Sequence, residues 1–309
     1  MVVNKPRDSK NCGIALVIVL WVITLVAVIA SSFTYTVRIE TNLATHLTEQ
    51  AEARALAEGG IVYAAFDLQR PMGTRQFTPD GTPYSWLIND NAVAISIQDV
   101  SGLIDINTGN VNLFIGLLIT IGIPNEEIFS LIDKIKDWID PDDIRQPQGA
   151  ERQDYIAAGL PYGPKNGSFE SIIELQQVLG MTSDLYQQIA PFVTVFSKQG
   201  GVNPSVAPPE VLMAIPGTTP DLIESYMQAR ETRKLQGQSP PVLPTGAEFQ
   251  GLNGGQAYKI RSEVEIINGG SAIAEAVISV NNVGSGTAVQ GVGTRSVMPN
   301  FSVLEWKSD

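Results

Sequence analysis

The chain carries one cysteine and one histidine in 309 residues. With Cys12 alone, an internal disulfide framework and a thiolate metal cluster are both excluded. His46 lies in an Ala/Leu/Glu-rich stretch that reads as helix. No Ser-His-Asp order surrounds it, and no glycine-rich phosphate loop follows a strand, so the sequence reads as that of a non-enzyme. Bases are scarce as well: 20 Lys and Arg face 32 Asp and Glu, a net charge of −12. That balance argues against nucleic acid as a partner, because phosphate backbones need a basic face. Charge is missing altogether from Ile14 to Val37, and proline from Thr41 to Arg70.

The uncharged run is the first thing that is present. Its 24 residues would rise about 36 Å as a helix, enough to cross a hydrocarbon core of about 30 Å. Lys5, Arg7 and Lys10 precede it against Asp8 alone, while Arg38, Glu40, Glu49 and Glu52 follow. The basic flank predicts a single-pass membrane protein with a cytoplasmic N-terminus and its bulk outside the cytoplasm. A secretory signal peptide has a shorter apolar region, and this one passes Ala30-Ser31-Ser32 without a turn. A lipoprotein signal needs its cysteine after the run, whereas Cys12 stands before it. Lys10-Asn11-Cys12-Gly13-Ile14 instead resembles the leader of type IV pilins and type II secretion pseudopilins. Such a leader is cut after its glycine and leaves the apolar helix in the mature protein.

From Thr41 to Arg70, Ala, Leu, Glu and Gln dominate, which predicts that the helix continues to a stop at Pro71 and Gly73, about 55 residues and 80 Å in all. Leu43, Leu47, Ala51 and Ala55 at a spacing of four, then Val62, Ala65 and Phe66, predict a stripe packed against a globular body, interrupted at Glu58. Gly59-Gly60 would either bend the helix or admit a strand closely. Alternating segments fall in two groups, 74–99 and 256–283. The first holds Tyr84 to Ile88 and Val93 to Ile97 around Asn89-Asp90-Asn91; the second holds Ile260, Val264 and Ile266, the Asn268-Gly269-Gly270 turn, then Ala272 to Val280. Gly284-Ser285-Gly286-Thr287 and Gly291-Val292-Gly293-Thr294 read as flexible turns, and Trp306 implies that the tail packs. The class is α+β: a long N-terminal helix on a small antiparallel sheet, with a large inserted all-helical domain.

The insert repeats a helix–turn–helix pattern. Ile106-Asn107-Thr108 leads through Ile121-Gly122-Ile123-Pro124 to Ile128, Leu131, Ile132 and Ile135. Val202-Asn203-Pro204-Ser205 leads through Ile215-Pro216-Gly217 to Leu222, Ile223 and Met227. A shorter version runs from Glu174 through Gly180-Met181 to Leu185 and Ile189. These resemble helix-hairpin-helix units, which bind DNA backbone in other proteins. The alternative they raise is a membrane-anchored DNA receptor of competence type. Glu126, Glu127, Asp184, Asp221 and Glu224 stand at these turns where a basic cluster would be needed, so a packing scaffold is the better account.

Six carboxylates fall between Asp137 and Asp154: Asp137, Asp140, Asp142, Asp143, Glu151 and Asp154. Pro141, Pro147 and Gly149 force loop geometry there, and hard oxygen donors on a loop suit Ca²⁺. It is not an EF-hand, because Arg145 holds the position that needs glycine. A solvated acidic loop behind a helix stop is the plain reading of the same residues.

These segments together resemble the K-type minor pseudopilins of type II secretion. The resemblance rests on the leader, on apolar Ile18 where most pilin-like subunits carry Glu, on Ser101-Gly102 with Asp105-Ile106-Asn107, and on Asp137-Trp138-Ile139-Asp140-Pro141-Asp142 with Gly149-Ala150-Glu151 and Tyr155. Glu174-Leu175, Gly180-Met181 and Pro191-Phe192-Val193-Thr194 extend it, while Val202-Asn203-Pro204-Ser205 departs from the family's usual Asn-x-Asn-Thr-Ala run. The resemblance implies a pilin-like fold divided as follows: leader 1–13, membrane helix 14–37, periplasmic helix and first strands 38–103, helical insert 104–250, closing strands 251–309. It implies cleavage at Gly13 by prepilin peptidase and methylation of Ile14. Ile18 would suit a position at the pseudopilus tip, because no partner's amino terminus need be neutralised there. It implies Ca²⁺ held by Asp140, Asp142, Asp143, Glu151 and Asp154, and helix contacts through Leu43, Leu47, Ala51 and Leu56. The implied partners are other minor pseudopilins, the major pseudopilin, prepilin peptidase and the inner-membrane assembly platform. A minor pilin of type IV pili is the alternative within the class.

Overall fold

A computed structural model describes residues 12–88, 91–251, 254–267, 269–280 and 301–308. The leader residues before Cys12, both glycine-rich turns after Val280, and Asn89, Asp90 and Asn268 of the expected turns lie outside them. In chain order come α1 (Cys12–Leu68), β1 (Asp80–Ile88), β2 (Asn91–Asp99), β3 (Ile104–Asp105), α2 (Val111–Thr120), α3 (Asn125–Ile139), α4 (Arg152–Ala157), α5 (Ser183–Ile189), β4 (Val193–Thr194), α6 (Pro209–Met213), α7 (Pro220–Leu235), β5 (Ala257–Glu265), β6 (Ser271–Val280) and β7 (Phe301–Ser308).

The 57 residues of α1 span about 85 Å. Its first part has a mean hydropathy of 3.0 over 18 residues, none of it buried, and it is the one helix among the described residues long and apolar enough to cross a membrane. Its last part packs on an antiparallel sheet of order β1-β2-β5-β6-β7. The two groups of strands predicted from opposite ends of the sequence meet where β2 pairs β5, with Val93 opposite Val264 and Ile97 opposite Ile260. Period-two alternation sends Val93, Ile95, Ile97, Ile260, Ala274 and Ile278 into the core beneath α1, each large aliphatic side chain contributing about 1.5–3 kcal/mol by burial. β7, unforeseen as a strand, closes the far edge and ties the tail to the sheet, with Trp306 opposite Ala276 but itself 42% exposed.

The buried side of α1 differs from the expected stripe. Ala53, Ala57, Ile61, Ala64 and Leu68 face the sheet, joined by Ala65. Ala51, Ala55, Val62 and Phe66 point to solvent instead. A strict spacing of four drifts by about 40° per step, so the run from Leu43 winds away from the sheet as it rises. The small residues set the distance. A Cβ at Gly60 would lie 2.2 Å from Ser262 Oγ and 3.1 Å from Val93 Cγ1, so the glycine admits the sheet, with the helix unbroken to Leu68.

Between β2 and β5 the chain builds a second core of its own around Leu113, Leu117, Leu118, Trp138, Tyr155, Leu175 and Leu212. The turns before α3, α5 and α7 each hold a glycine with φ between 84° and 89°, at Gly122, Gly180 and Gly217, a backbone state that side chains resist. The helix before α5 is a 3-10 turn, Ile172–Gln177, where its counterparts α2 and α6 are α-helical. The region is not all helical as expected, since β3 and β4 form a parallel pair.

Asp99 ties the two crossings between body and insert together. Its buried carboxylate accepts from Ser101 N at 2.9 Å on the way out and from Gly255 N at 2.6 Å on the way back. Three further bonds hold the units: Lys234 Nζ to Asp80 Oδ2 at 2.7 Å, Ser171 Oγ to Glu305 Oε1 at 2.8 Å, and Gln98 Nε2 to Val206 O at 2.8 Å.

Candidate functional site

Two regions carry the residues singled out by sequence: the exposed length of α1 and the loop after α3. On α1, Gly13 and Ile14 lie in the first turns and Ile18 one turn further, and from Ile14 onward the apolar surface is exposed. Leu43 and Leu47 are each 58% exposed on the bare stretch before the sheet begins. Ala51 is also exposed, whereas Leu56 packs partly against the body core. So three of the four expected contact residues are free to meet a neighbour, and Leu56 is largely spent within the chain. His46 stands exposed with Nδ1 3.4 Å from Glu49 Oε2.

The acidic loop is built outward from α3. Asp137 and Asp140 are three residues apart at the helix end, so they share a face. Pro141 stops the helix by forcing Asp140 into extended backbone, φ −71° and ψ 150°. The chain then returns through Gly149-Ala150 to Glu151, the N-cap of α4. One carboxylate oxygen each from Asp137, Asp140 and Glu151 lies within 4.8 Å of the others. Asp137 is fully buried and accepts from Gln146 N at 3.0 Å. It lies so close over Gly149 that a Cβ there would meet Asp137 Oδ2 at 1.9 Å. Trp138, stacked on Phe169 with centroids 5.9 Å apart, walls the site from behind. Phe169 is fixed by Asn107, whose side chain accepts from Phe169 N at 2.8 Å and donates to its carbonyl at 3.0 Å.

The electrostatics of this cluster are those of a site short of positive charge. Glu151 is 8% exposed, yet neither of its side-chain oxygens has a hydrogen-bond partner, and Asp140 Oδ1 is buried and unpartnered too. Burial, reinforced by the neighbouring carboxylates, pushes the Asp140 and Glu151 carboxyls above their ordinary range. Burial also raises Asp137, against the backbone donors of Gln146 and Ala150. Unpartnered buried oxygens carry a cost that a bound cation removes.

The carboxylates that the structure brings together differ from the expected five: Asp140 and Glu151 are among them and Asp137 joins them. Asp154 caps α4 by accepting from Glu151 N at 2.9 Å and pairs with Arg145 at 3.0 Å. Asp142 accepts from Ile144 N at 2.8 Å, and Asp143 from Asn166 Nδ2 at 3.3 Å, both on the exposed rim that Pro141 turns outward. The signal for Asp137 was in the sequence, as the helical Asp-x-x-Asp spacing and the glycine opposite it.

Residues 89–198, which hold this loop, match the family model described as type II secretion system (T2SS), protein K. Type II secretion system protein K of Pseudomonas aeruginosa is 26% identical over 253 residues, covering 74% of this chain and 75% of that protein. The protein of the same description from Klebsiella pneumoniae is 28% identical over 62% of this chain, and the match spans 65% of its own length. The chain is thus similar to the type II secretion protein K family, over residues 89–198 by the family model and over most of its length by these relatives. A chain of the crystal structure of the GspK-GspI-GspJ complex from enterotoxigenic Escherichia coli shares its fold. That match has a TM-score of 0.53 and 17% identity, over 89% of this chain and 99% of that one. The shared fold is a long N-terminal helix on an antiparallel sheet with a helical insert, and in this chain the insert carries the acidic cluster.

Proposed function

We infer that this chain works as a minor pseudopilin of type II secretion, anchored in the inner membrane by α1 and placed at the tip of the pseudopilus. The observation that carries the reading is the union, in one chain similar to the K family, of a bare apolar half of α1 with a bulky insert on the sheet it supports. Helical packing into a fibre needs the first, and the second favours a place with nothing stacked above. Ile18 points the same way: a tip subunit need not present a carboxylate to a neighbour's amino terminus inside the membrane. The bulk of the chain lies in the periplasm, the leader is removed after Gly13 by prepilin peptidase, and Ile14 is methylated. The subunit joins other minor pseudopilins through α1, starts or caps the fibre on the inner-membrane assembly platform, meets the major pseudopilin below, and supports export across the outer membrane. In the intact cell, Ile18→Glu leaves cleavage normal but lowers recovery of the minor-pseudopilin complex; normal recovery would remove the tip assignment.

The same reading places one Ca²⁺ on Asp137, Asp140 and Glu151. Three hard carboxylate donors suit calcium, and the unpartnered oxygens of Glu151 favour it. A cation there would tie the end of α3 to the start of α4. Calorimetric titration of the full chain in detergent is expected to give saturable Ca²⁺ uptake, lost in Glu151→Gln. Absence of uptake by the unaltered chain would overturn the site.

A further inference from the structure

Between the outer face of the sheet and the underside of the insert lies a cleft of about 580 Å³, within the size range of ligand sites. Its roof comes from the segment around α5 and β4, with Ile172, Phe192 and Phe196 presenting apolar surface. Its floor is the face of the sheet turned away from α1. The lining reaches from Gly81 on β1 to Lys307 on β7, so the cleft crosses all five strands, a path of about 19 Å at the usual strand spacing. The space is a slot, and an extended segment of about six residues would fill its length.

The charges on the floor follow from the register. One cross-strand row reads Ser96, Arg261, Glu275, Lys307, and the next reads Gln98, Lys259, Val277, Glu305. In the first row Arg261 is satisfied twice, by Glu275 beside it and by Glu263. In the second, Glu305 accepts from Ser171 Oγ. Lys259 lies between Gln98 and Val277 and forms no ion pair with any described carboxylate. Lys259 is thus an ammonium without an ion pair among the described residues, set beneath an apolar roof, where reduced water access strengthens its pull on an anion.

We propose that this slot binds an extended peptide segment of a partner protein, with an internal Asp or Glu side chain on Lys259 Nζ and apolar neighbours against Phe192 and Phe196. The acidic residue must be internal. β5 is the middle strand of five, so a segment seated on Lys259 runs on past it toward both edges. The assignment rests on the slot and does not depend on the pseudopilin reading.

The test uses the full chain in detergent micelles and fluorescein-labelled, C-terminally amidated hexapeptide pools. Each pool has a central Asp flanked by Val, Leu or Phe. A second set replaces Asp by Asn, and a third carries Asn with a free C-terminal carboxylate. Fluorescence anisotropy is expected to show saturable binding of the Asp pool, with both Asn pools about tenfold weaker, as loss of one charged hydrogen bond implies. Lys259→Gln should bring the Asp pool down to the Asn level, Lys259→Arg should restore it, and Lys198→Gln on an exposed turn should change nothing. Failure of the Asp pool to saturate, an undiminished Asp-over-Asn preference in Lys259→Gln, or stronger binding of the free-carboxylate pool would each overturn the proposal.

Discussion

The body and the insert bury their cores with different materials. The body joins residues from the two ends of the chain, and α1 holds them through alanines and one glycine that let the sheet approach closely. The insert is contiguous in sequence, built from short hairpins, and its large aromatic residues Trp138, Tyr155 and Phe169 pack behind a cluster of buried acids. Both units also use the other's material, since Gly116 lets α2 approach Ala214 O in the insert and Tyr63, Phe77 and Trp86 pack together in the body; what sets the insert apart is aromatic bulk behind buried acids. The unit with close helix–sheet packing is suited to transmitting a rigid orientation from the membrane. The unit with unpartnered carboxylates is suited to responding to an ion.

Deleting bulk from the insert should separate the two most sharply. Trp138→Ala is expected to cost the insert about 3–5 kcal/mol. Hydrogen exchange would then rise across the helices of the insert while Ala57 to Leu68 and β5 stay protected. Equal loss in both units would mean that they fold as one.

Adding bulk probes each unit's own close contact. Gly60→Val should destabilise the body, and Gly149→Ala the insert, each by about 1–3 kcal/mol of overpacking. Chemical unfolding measures both, and only Gly149→Ala should also weaken Ca²⁺ uptake, because it displaces Asp137.

The latch between the units is the next term. Burial works against ionisation of Asp80, but the hydrogen bonds from Lys234 and Thr82 outweigh it and hold the carboxyl below its usual 3.8. A group whose folded pKa is lowered contributes above its unfolded value and loses that contribution as pH falls through the folded one. A double-mutant cycle with Asp80→Asn and Lys234→Met should therefore read about 1 kcal/mol at pH 7 and vanish well below pH 3.8. Coupling that persists in acid would mean the latch is not ionic.

The smallest effect on stability belongs to the free face of α1. Val62→Ser and Phe66→Ser should change unfolding by under about 0.5 kcal/mol, while lowering co-purification of partner pseudopilins. A large stability loss would place these residues inside the fold.

Much of this was legible in the sequence where periodicity is strong. The long apolar helix, the two strand groups and the hairpin turns follow from uncharged length, period-two alternation and glycine placement. The buried face of α1 was not, because alanines mark a helix side weakly and a spacing of four drifts around the axis. β7 was hidden because Phe301 to Ser308 mixes charged with apolar residues, as an edge strand does. Within the acidic loop, composition located the cluster but not its members. Capping claimed Asp154 and the turn at Pro141 sent Asp142 and Asp143 outward, while helical spacing brought in Asp137. Lys259 stood out only once strand register showed what lay beside it.

The central claim is that this chain is processed and assembled as a pseudopilin. It is tested most directly by the intact mass of its N-terminus after extraction from membranes with and without prepilin peptidase. The account predicts a peptidase-dependent start at Ile14 bearing one added methyl group. An intact Met1, or a cut near Ser32 in both strains, would contradict it.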